Sequence, residues 1–174
     1  MPILLRQVEH RRWYTAQQNA SDPLPACALS DLKADISNAL SLWEILDDRS
    51  NLELVATNLA AGRSKLVELE YVLIEQGQIE QLGIRVVETR ARNALIPSVA
   101  GYHRDAISLT AADAVAIAEL FRVSGEFDDV PDTNVGRILA REIEAGTLKR
   151  SSLQSSQSSL ESDLVKRGFL APIP

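Results

Sequence analysis

Three residue types that often take part in catalysis, a histidine, an arginine and an aspartate, are adjacent in the run Tyr102-His103-Arg104-Asp105. An imidazole can act as a general base, a guanidinium can stabilise negative charge, and a carboxylate can orient the imidazole. His103, Arg104 and Asp105 therefore form a candidate catalytic cluster. Neighbouring side chains rarely converge on one atom, however, because consecutive residues point in different directions. The alternative is a surface ion pair between Arg104 and Asp105, with His103 at the edge of a loop.

Two adjacent aspartates, Asp47 and Asp48, follow a predicted strand at residues 40–45. Ligand sites in α/β sheets often lie at strand ends, so Asp48 joins His103 as a candidate for a catalytic or ligand-binding role. Most aspartates after strands only cap or turn the chain, and this second interpretation stays open.

The N-terminal run His10-Arg11-Arg12-Trp13-Tyr14 mixes cationic and aromatic groups that could stack on a base or contact an anion. Arg11, Arg12 and Trp13 are therefore candidate binding residues. The formal net charge is −6, whereas nucleic-acid phosphates attract a basic surface. We therefore expect no nucleic-acid partner, and packing of Trp13 in a core or an edge strand is the competing interpretation.

The sequence predicts neither a metal nor a cofactor. It contains two histidines and one cysteine, Cys27, which limits metal and redox chemistry. The acidic residues between Glu126 and Asp132 do not have the spacing of an EF-hand loop, so a solvated turn is the favoured interpretation. The common nucleotide-binding and hydrolase signatures are also missing from the sequence.

The length and composition are typical of one globular domain. The chain has 174 residues, of which 45% are hydrophobic and 24% charged. A single cysteine suits a reducing compartment, so we expect a cytoplasmic protein. No apolar run approaches the roughly 20 residues that a membrane-spanning helix needs, so we expect no membrane association.

Four apolar runs predict strands, at residues 3–14, 40–45, 69–74 and 84–87. A helix is predicted between the second and third runs, because Ser50 and Glu53 form a capping box and Gly62 suits a left-handed helix end. A strand, a helix and a strand compose a parallel crossover, whereas the short link to residues 84–87 leaves the direction of that strand open. We interpret the block from about Leu40 to Glu88 as the scaffold of the fold.

The second half of the chain is predicted to be mainly helical. Thr110 and Asp113 form a second capping box before a helix at residues 111–121. A turn at residues 128–131 precedes another amphipathic helix, which ends at Gly146. The predicted fold class is α/β or α+β, with a small mixed sheet of about four strands and four or five helices.

Residues 151–162 are serine-rich and indicate a linker, followed by a short helix and an apolar tail that contains Phe169 and Leu170. The tail either folds back onto the domain or binds a partner, so Phe169 and Leu170 are candidate binding residues. The predicted organisation is a single α/β domain at residues 1–150, with residues 151–174 docked on it.

These observations favour a small cytoplasmic protein-binding or regulatory protein, such as an accessory protein or inhibitor, over an enzyme. Its partner would be another protein or a second copy of the chain. The alternative is a small enzyme or ligand-binding domain with a site near His103 and the strand end at Asp47 and Asp48.

Overall fold

The structure is a computed structural model that describes residues 2–13, 23–32, 37–91, 94–153 and 159–172. The chain divides into two compact units. The sheet unit comprises Met1–Ser50, Glu70–Arg90 and Gly101–Asp128, and the helical unit comprises Asn51–Leu69, Ala91–Ala100 and Asp129–Pro174.

A six-stranded sheet with the order β4-β5-β2-β1-β3-β6 organises the sheet unit. Its strands are β1 (Ile3–Gln7), β2 (Leu40–Ile45), β3 (Leu69–Glu75), β4 (Arg85–Glu88), β5 (His103–Ile107) and β6 (Glu126–Val130). Every neighbouring pair whose register is described is antiparallel. The outer strands of the sheet are β4 and β6.

The prediction of a mixed sheet with about four strands is wrong, because the sheet is antiparallel and has six strands. The N-terminal strand explains the difference in direction. Leu5 of β1 lies opposite Trp43 of β2 on one side and Leu73 of β3 on the other. The predicted crossover therefore joins two strands of the same direction, but β1 lies between them and takes their hydrogen bonds.

Two strands were missed by the sequence analysis, β5 and β6. The sequence predicts no strand at residues 103–107, and the turn predicted at residues 128–131 is wrong as far as Val130, where β6 ends. The sequences HRDAI and EFDDV are rich in charged residues that are depleted in strands. They become strands because β5 pairs with β2 and β4, and because β6 adds to the edge of the sheet at β3.

The predicted strand at residues 3–14 ends at Gln7, and residues 10–13 are helical. A turn begins there because the backbone N–H of Arg12 donates to the carbonyl oxygen of Glu9 at 2.8 Å. Trp13 is fully buried, and its position in a helical turn rather than a strand directs the ring into the core.

One face of the sheet packs against two helices of the same unit, α2 (Gln76–Gln81) and α3 (Ala111–Ser124). The shared core is apolar and contains Leu4, Leu40, Leu42, Val72, Ile74, Ile79, Ala106, Ile117 and Phe121, among others. The predicted capping box at the start of α3 is confirmed, since the Thr110 and Asp113 side chains each accept a hydrogen bond from the other's backbone N–H.

The helical unit contains α1 (Leu52–Ala61), α4 (Asp132–Glu144) and α5 (Leu160–Lys166), and α1 packs against α4. The predicted helices at α1 and α4 are confirmed, but the predicted capping of α1 is wrong. Asn51 is the N-cap and makes no side-chain capping bond. The Ser50 backbone N–H, which the predicted box would pair with Glu53, instead donates to Asp48 Oδ1 at 3.0 Å. Gly62 follows the helix at φ −80°, a right-handed conformation.

The C-terminal tail packs within the helical unit. A Cβ atom placed on Gly136 of α4 would lie 2.5 Å from the Phe169 ring, and Leu170 is buried. Arg167 forms an ion pair with Asp132 at 2.6 Å. Part of the serine-rich segment, residues 154–158, lies outside the described residues, and the division at residue 150 stays a prediction.

Candidate functional site

Strand alternation decides which members of the His103 cluster share a surface. In β5, His103 and Asp105 lie on one face of the sheet and Arg104 on the other. His103 pairs across the strands with Trp43, and the two rings meet edge to face with their centroids 5.0 Å apart. The sheet thus separates Arg104 from the imidazole and keeps Asp105 beside it.

The His103 ring lies between a hydroxyl and a carboxylate. Its Nδ1 atom is 2.7 Å from Thr89 Oγ1, and its Nε2 atom is 3.8 Å from Asp105 Oδ1. An ionised carboxylate attracts the nitrogen that carries the proton, which assigns the proton to Nε2. Nδ1 is then a free lone pair that accepts the Thr89 hydroxyl hydrogen.

The electrostatic surroundings favour the neutral imidazole. Burial lowers the pKa of His103 below its ordinary value, the Asp105 charge opposes this effect, and the Arg104 charge adds to it. The side chains of His103 and Asp105 remain 13% and 19% exposed, so solvent reaches both. Ser41 Oγ, on the neighbouring strand, lies 3.4 Å from Asp105 Oδ1 and donates a hydrogen bond to it. His103 is therefore a neutral base near pH 7.

Arg104 is held by contacts on the opposite face. Its guanidinium pairs with Glu44 and lies 4.0 Å from Glu88. The same guanidinium donates to the carbonyl oxygens of Gly101 and His103 at 2.9 and 2.8 Å. These contacts hold the guanidinium on the sheet face opposite the Thr89 side chain.

Asp47 and Asp48 form the turn that follows β2. The backbone N–H of Ser50 donates to Asp48, and this hydrogen bond is the main cause of the lowered pKa of that exposed carboxyl. His103 lies opposite Trp43, near the same end of β2. Among the described contacts, however, none joins Asp48 to His103, so the structure brings the two near one sheet end without assembling them into one cluster.

Asp31 is the centre of a second polar cluster, which sequence reasoning missed. Its carboxylate accepts hydrogen bonds from Trp13 Nε1 at 2.7 Å and from the Glu9 backbone at 2.9 Å, and it pairs with Arg12. Its carbonyl oxygen accepts two more from Arg6, whose pKa burial lowers. Because all of these donors come from the sheet unit itself, the cluster ties the N-terminal turn to the 3-10 helix Ala28–Leu32.

The candidate binding residues are placed very differently from one another. Trp13 is buried, Arg12 is paired with Asp31, and the exposed Arg11 pairs with Glu9 at 2.9 Å. Of the tail residues, Leu170 is buried and Phe169 covers Gly136 of α4. Binding through any of these residues stays a prediction, and Arg11 is the most exposed of Arg11, Arg12 and Trp13.

Thr89 is the residue of the site that sequence reasoning missed. It lies 14 positions before His103, and no spacing rule connects the two. Strands β4 and β5 pair with Arg85 opposite Ile107 and Glu88 opposite Arg104, so the next pair along is Thr89 and His103. The Thr89 backbone N–H donates to the His103 carbonyl oxygen at 3.2 Å, which fixes that alignment.

No protein-family model, curated protein or solved structure matches this chain. Among the described residues, no three His, Cys, Asp or Glu side chains are grouped to hold a metal ion. None of the described helices is long and apolar enough to cross a membrane.

Proposed function

We propose that this chain is a small enzyme of the hydrolytic type in which His103 is the general base for the hydroxyl of Thr89. The observation that carries the proposal is the 2.7 Å contact between Thr89 Oγ1 and His103 Nδ1, with Asp105 facing the other ring nitrogen. A nucleophile within hydrogen-bond distance of a base, which a third group orients, is the arrangement that activates hydroxyl nucleophiles.

The proposed substrate is a carboxylic ester. Thr89 Oγ1 forms a bond to the carbonyl carbon while its proton moves to His103 Nδ1. The proton then passes from His103 to the departing alkoxide, which leaves as an alcohol. The acyl group remains bonded to Thr89 Oγ1. Water, deprotonated by His103, releases the acyl group as a carboxylic acid and restores the threonine. The Asp105 carboxylate stabilises the imidazolium that forms in both steps, although at 3.8 Å it acts through charge rather than through a direct hydrogen bond.

A fluorophosphonate probe followed by intact-mass and peptide mass spectrometry tests this proposal directly. We expect one adduct on Thr89, retained in Thr89→Ser and lost in Thr89→Val. His103→Gln should slow labelling by about 100-fold or more, since general-base catalysis typically contributes a factor of 10² to 10⁴. Matched controls are Thr133→Val, at an exposed threonine, and His10→Gln, at the other histidine. A labelling rate that His103→Gln leaves unchanged, or the absence of an adduct on Thr89, contradicts the proposal.

A protein-binding or regulatory role is the second candidate, and the outer strand β4 favours it because its far side pairs with no strand in the described part of the chain. Edge strands are frequent sites of pairing with another chain. Its test is the molar mass in solution, together with the proteins that copurify from the native cell. A cytoplasmic location stays a prediction from the single cysteine.

A further inference from the structure

Asp105 has two cross-strand neighbours, and one of them can bond to its carboxylate. Ser41 of β2 lies directly opposite Asp105 on one side, and Val87 of β4 lies opposite it on the other. The valine side chain offers no hydrogen bond, whereas the Ser41 hydroxyl donates to Asp105 Oδ1. Ser41 is therefore the strand neighbour that can control where the Asp105 carboxylate lies.

The same carboxylate oxygen faces two donors. Asp105 Oδ1 is 3.4 Å from Ser41 Oγ and 3.8 Å from His103 Nε2. Both distances are longer than the roughly 2.7–3.0 Å of well-formed hydrogen bonds. Ser41 lies across the strands from Asp105, whereas His103 lies along β5, so the two donors attract Oδ1 in different directions. The oxygen is shared between the two donors and fully bonded to neither.

The position of Ser41 is fixed through its backbone. Arg6 Nη1 donates to the Ser41 carbonyl oxygen at 2.7 Å, and the same guanidinium donates to the carbonyl oxygen of Asp31. Because the Arg6 bond is made to the main chain, replacing the Ser41 side chain should leave it intact. The hydroxyl of Ser41 can therefore be removed without removing the contact that holds this part of β2.

The charge that acts on the imidazole depends on the distance to Asp105. Of the described residues of β2, β4 and β5, Asp105 and Arg85 are the charged ones on the sheet face of His103, and Arg85 lies at the far end of β4, opposite Ile107. Burial and the Arg104 charge lower the pKa of His103, and the Asp105 charge opposes them. The other charged residues at this end of these strands lie on the opposite face or in the turn after β2: Arg104, Glu44, Glu88, Asp47 and Asp48.

We propose that Ser41 is a positioning residue of the candidate site, whose hydroxyl holds the Asp105 carboxylate short of a direct hydrogen bond to His103. Resting on the proposed function, this restraint keeps the imidazole in the neutral form that accepts the Thr89 proton. A carboxylate that closed on Nε2 would favour the imidazolium, which has no lone pair for the Thr89 hydroxyl. Once the imidazolium forms during the reaction, the Asp105 charge is near enough to stabilise it.

An NMR titration of His103 tests this role of Ser41 without any substrate. In Ser41→Ala the Asp105 carboxylate loses one donor, so we expect it to move toward His103 Nε2 and the pKa of His103 to rise above its wild-type value. Ser124→Ala, at an exposed serine at the end of α3, is the matched control and should leave that pKa unchanged. A pKa of His103 that Ser41→Ala leaves unchanged or lowers overturns the proposal.

Two further variants separate the hydroxyl from other effects of the substitution. Ser41→Thr keeps a hydroxyl in a residue type that strands favour, and it should keep the wild-type pKa of His103. A rise as large as that in Ser41→Ala overturns the proposal, because the hydroxyl would not be the cause. In an Asp105→Asn background, Ser41→Ala should no longer raise the pKa of His103, since the amide carries no charge to bring nearer. A full rise in that background also overturns the proposal.

The pH dependence of fluorophosphonate labelling connects the restraint to the proposed reaction. At about pH 5, Ser41→Ala should label Thr89 about two- to tenfold more slowly than the wild type, the factor that corresponds to one typical hydrogen bond. At about pH 8 it should label at least as fast, because a more basic imidazole accepts the proton more readily. An equal loss of rate at both pH values overturns the restraint. If the wild type forms no Thr89 adduct, the proposed enzyme is wrong, and the NMR titration alone decides the role of Ser41.

Discussion

Gly125 connects α3 to β6, and replacing it with alanine should be strongly destabilising for a purely steric reason. Its φ of −73° and ψ of 136° are accessible to any residue, so left-handed strain is not involved. A Cβ atom at this position would lie well under 3.0 Å from the Phe121 carbonyl oxygen and 2.5 Å from Val72 Cγ2. The Gly125 N–H also donates to that carbonyl oxygen at 2.8 Å.

The size of the stability loss in Gly125→Ala depends on which neighbouring atoms must move. Cβ contacts under 3.0 Å essentially never occur, so the neighbours of the new methyl group must shift. Val72 can change rotamer only within a closed core, and the Phe121 oxygen is fixed by the last turn of α3. Because overpacking a core typically costs about 1–3 kcal/mol, we expect the upper end, about 3 kcal/mol. At about 2–4 °C per kcal/mol for a chain of this size, Tm should fall by roughly 6–12 °C.

Urea and thermal unfolding followed by circular dichroism measure this loss. Gly62→Ala is the matched control, since Gly62 also follows a helix with a negative φ, and its nearest neighbour to a new Cβ is Leu59 O at an ordinary 3.5 Å. The control should stay within about 0.5 kcal/mol of the wild type. Adding Val72→Ala to Gly125→Ala should restore only part of the loss, because the backbone clash persists. The steric reasoning is refuted if Gly125→Ala is as stable as Gly62→Ala.

Three further predictions concern the tail, the buried carboxylate and the imidazole. Gly136→Ala should destabilise the protein by forcing the Phe169 ring off α4. A double-mutant cycle with Phe169→Ala should show that most of this loss of stability disappears once the ring is absent. Additive losses of stability would contradict the contact. Asp31→Ala should cost about 1–3 kcal/mol in urea unfolding, because it leaves the buried Trp13 Nε1–H without an acceptor while Arg12 keeps its ion pair with Glu9, and a loss below about 0.5 kcal/mol would show that the cluster contributes little. The lowered pKa of His103 means that, below its ordinary value of about 6.5, the unfolded chain binds a proton that the folded chain does not. This contribution to stability is therefore complete above about pH 6.5 and is lost as the pH falls toward the folded pKa. His103→Gln should flatten the dependence of the unfolding free energy on pH in this range. Asp105→Asn should lower the pKa of His103 further in an NMR titration, whereas a rise in that pKa would contradict the assigned contact.

The helices show how far local information reaches. The helix at α3 was predicted from Thr110 and Asp113, and its capping box is present, because a cap forms between residues three positions apart. Gly146 follows the end of α4 and has a φ of 74°, the left-handed conformation expected of a glycine after a helix. At Ser50 the same kind of signal misled, because the nearby Asp48 competes for the serine backbone N–H.

The strands depend on partners that are distant in the chain. β1 is inserted between β2 and β3, and β5 forms between β2 and β4 although its sequence is HRDAI. A charged segment becomes a strand when neighbouring strands accept its backbone hydrogen bonds, and no local pattern reports those neighbours. The number and direction of strands were therefore beyond the sequence, whereas most helix positions were not.

The sequence by itself determined that His103 is one of two histidines, that Asp105 lies two residues after it, and that a strand would put both on one face. Only the tertiary structure decided that residues 103–107 are a strand at all, that Arg104 turns to Glu44, and that the β4–β5 register brings Thr89 to the imidazole. The physical reason is the separation along the chain of the residues that interact. Alternation along a strand is a local property, but the pairing of Thr89 with His103 depends on hydrogen bonds between segments that only the folded sheet aligns.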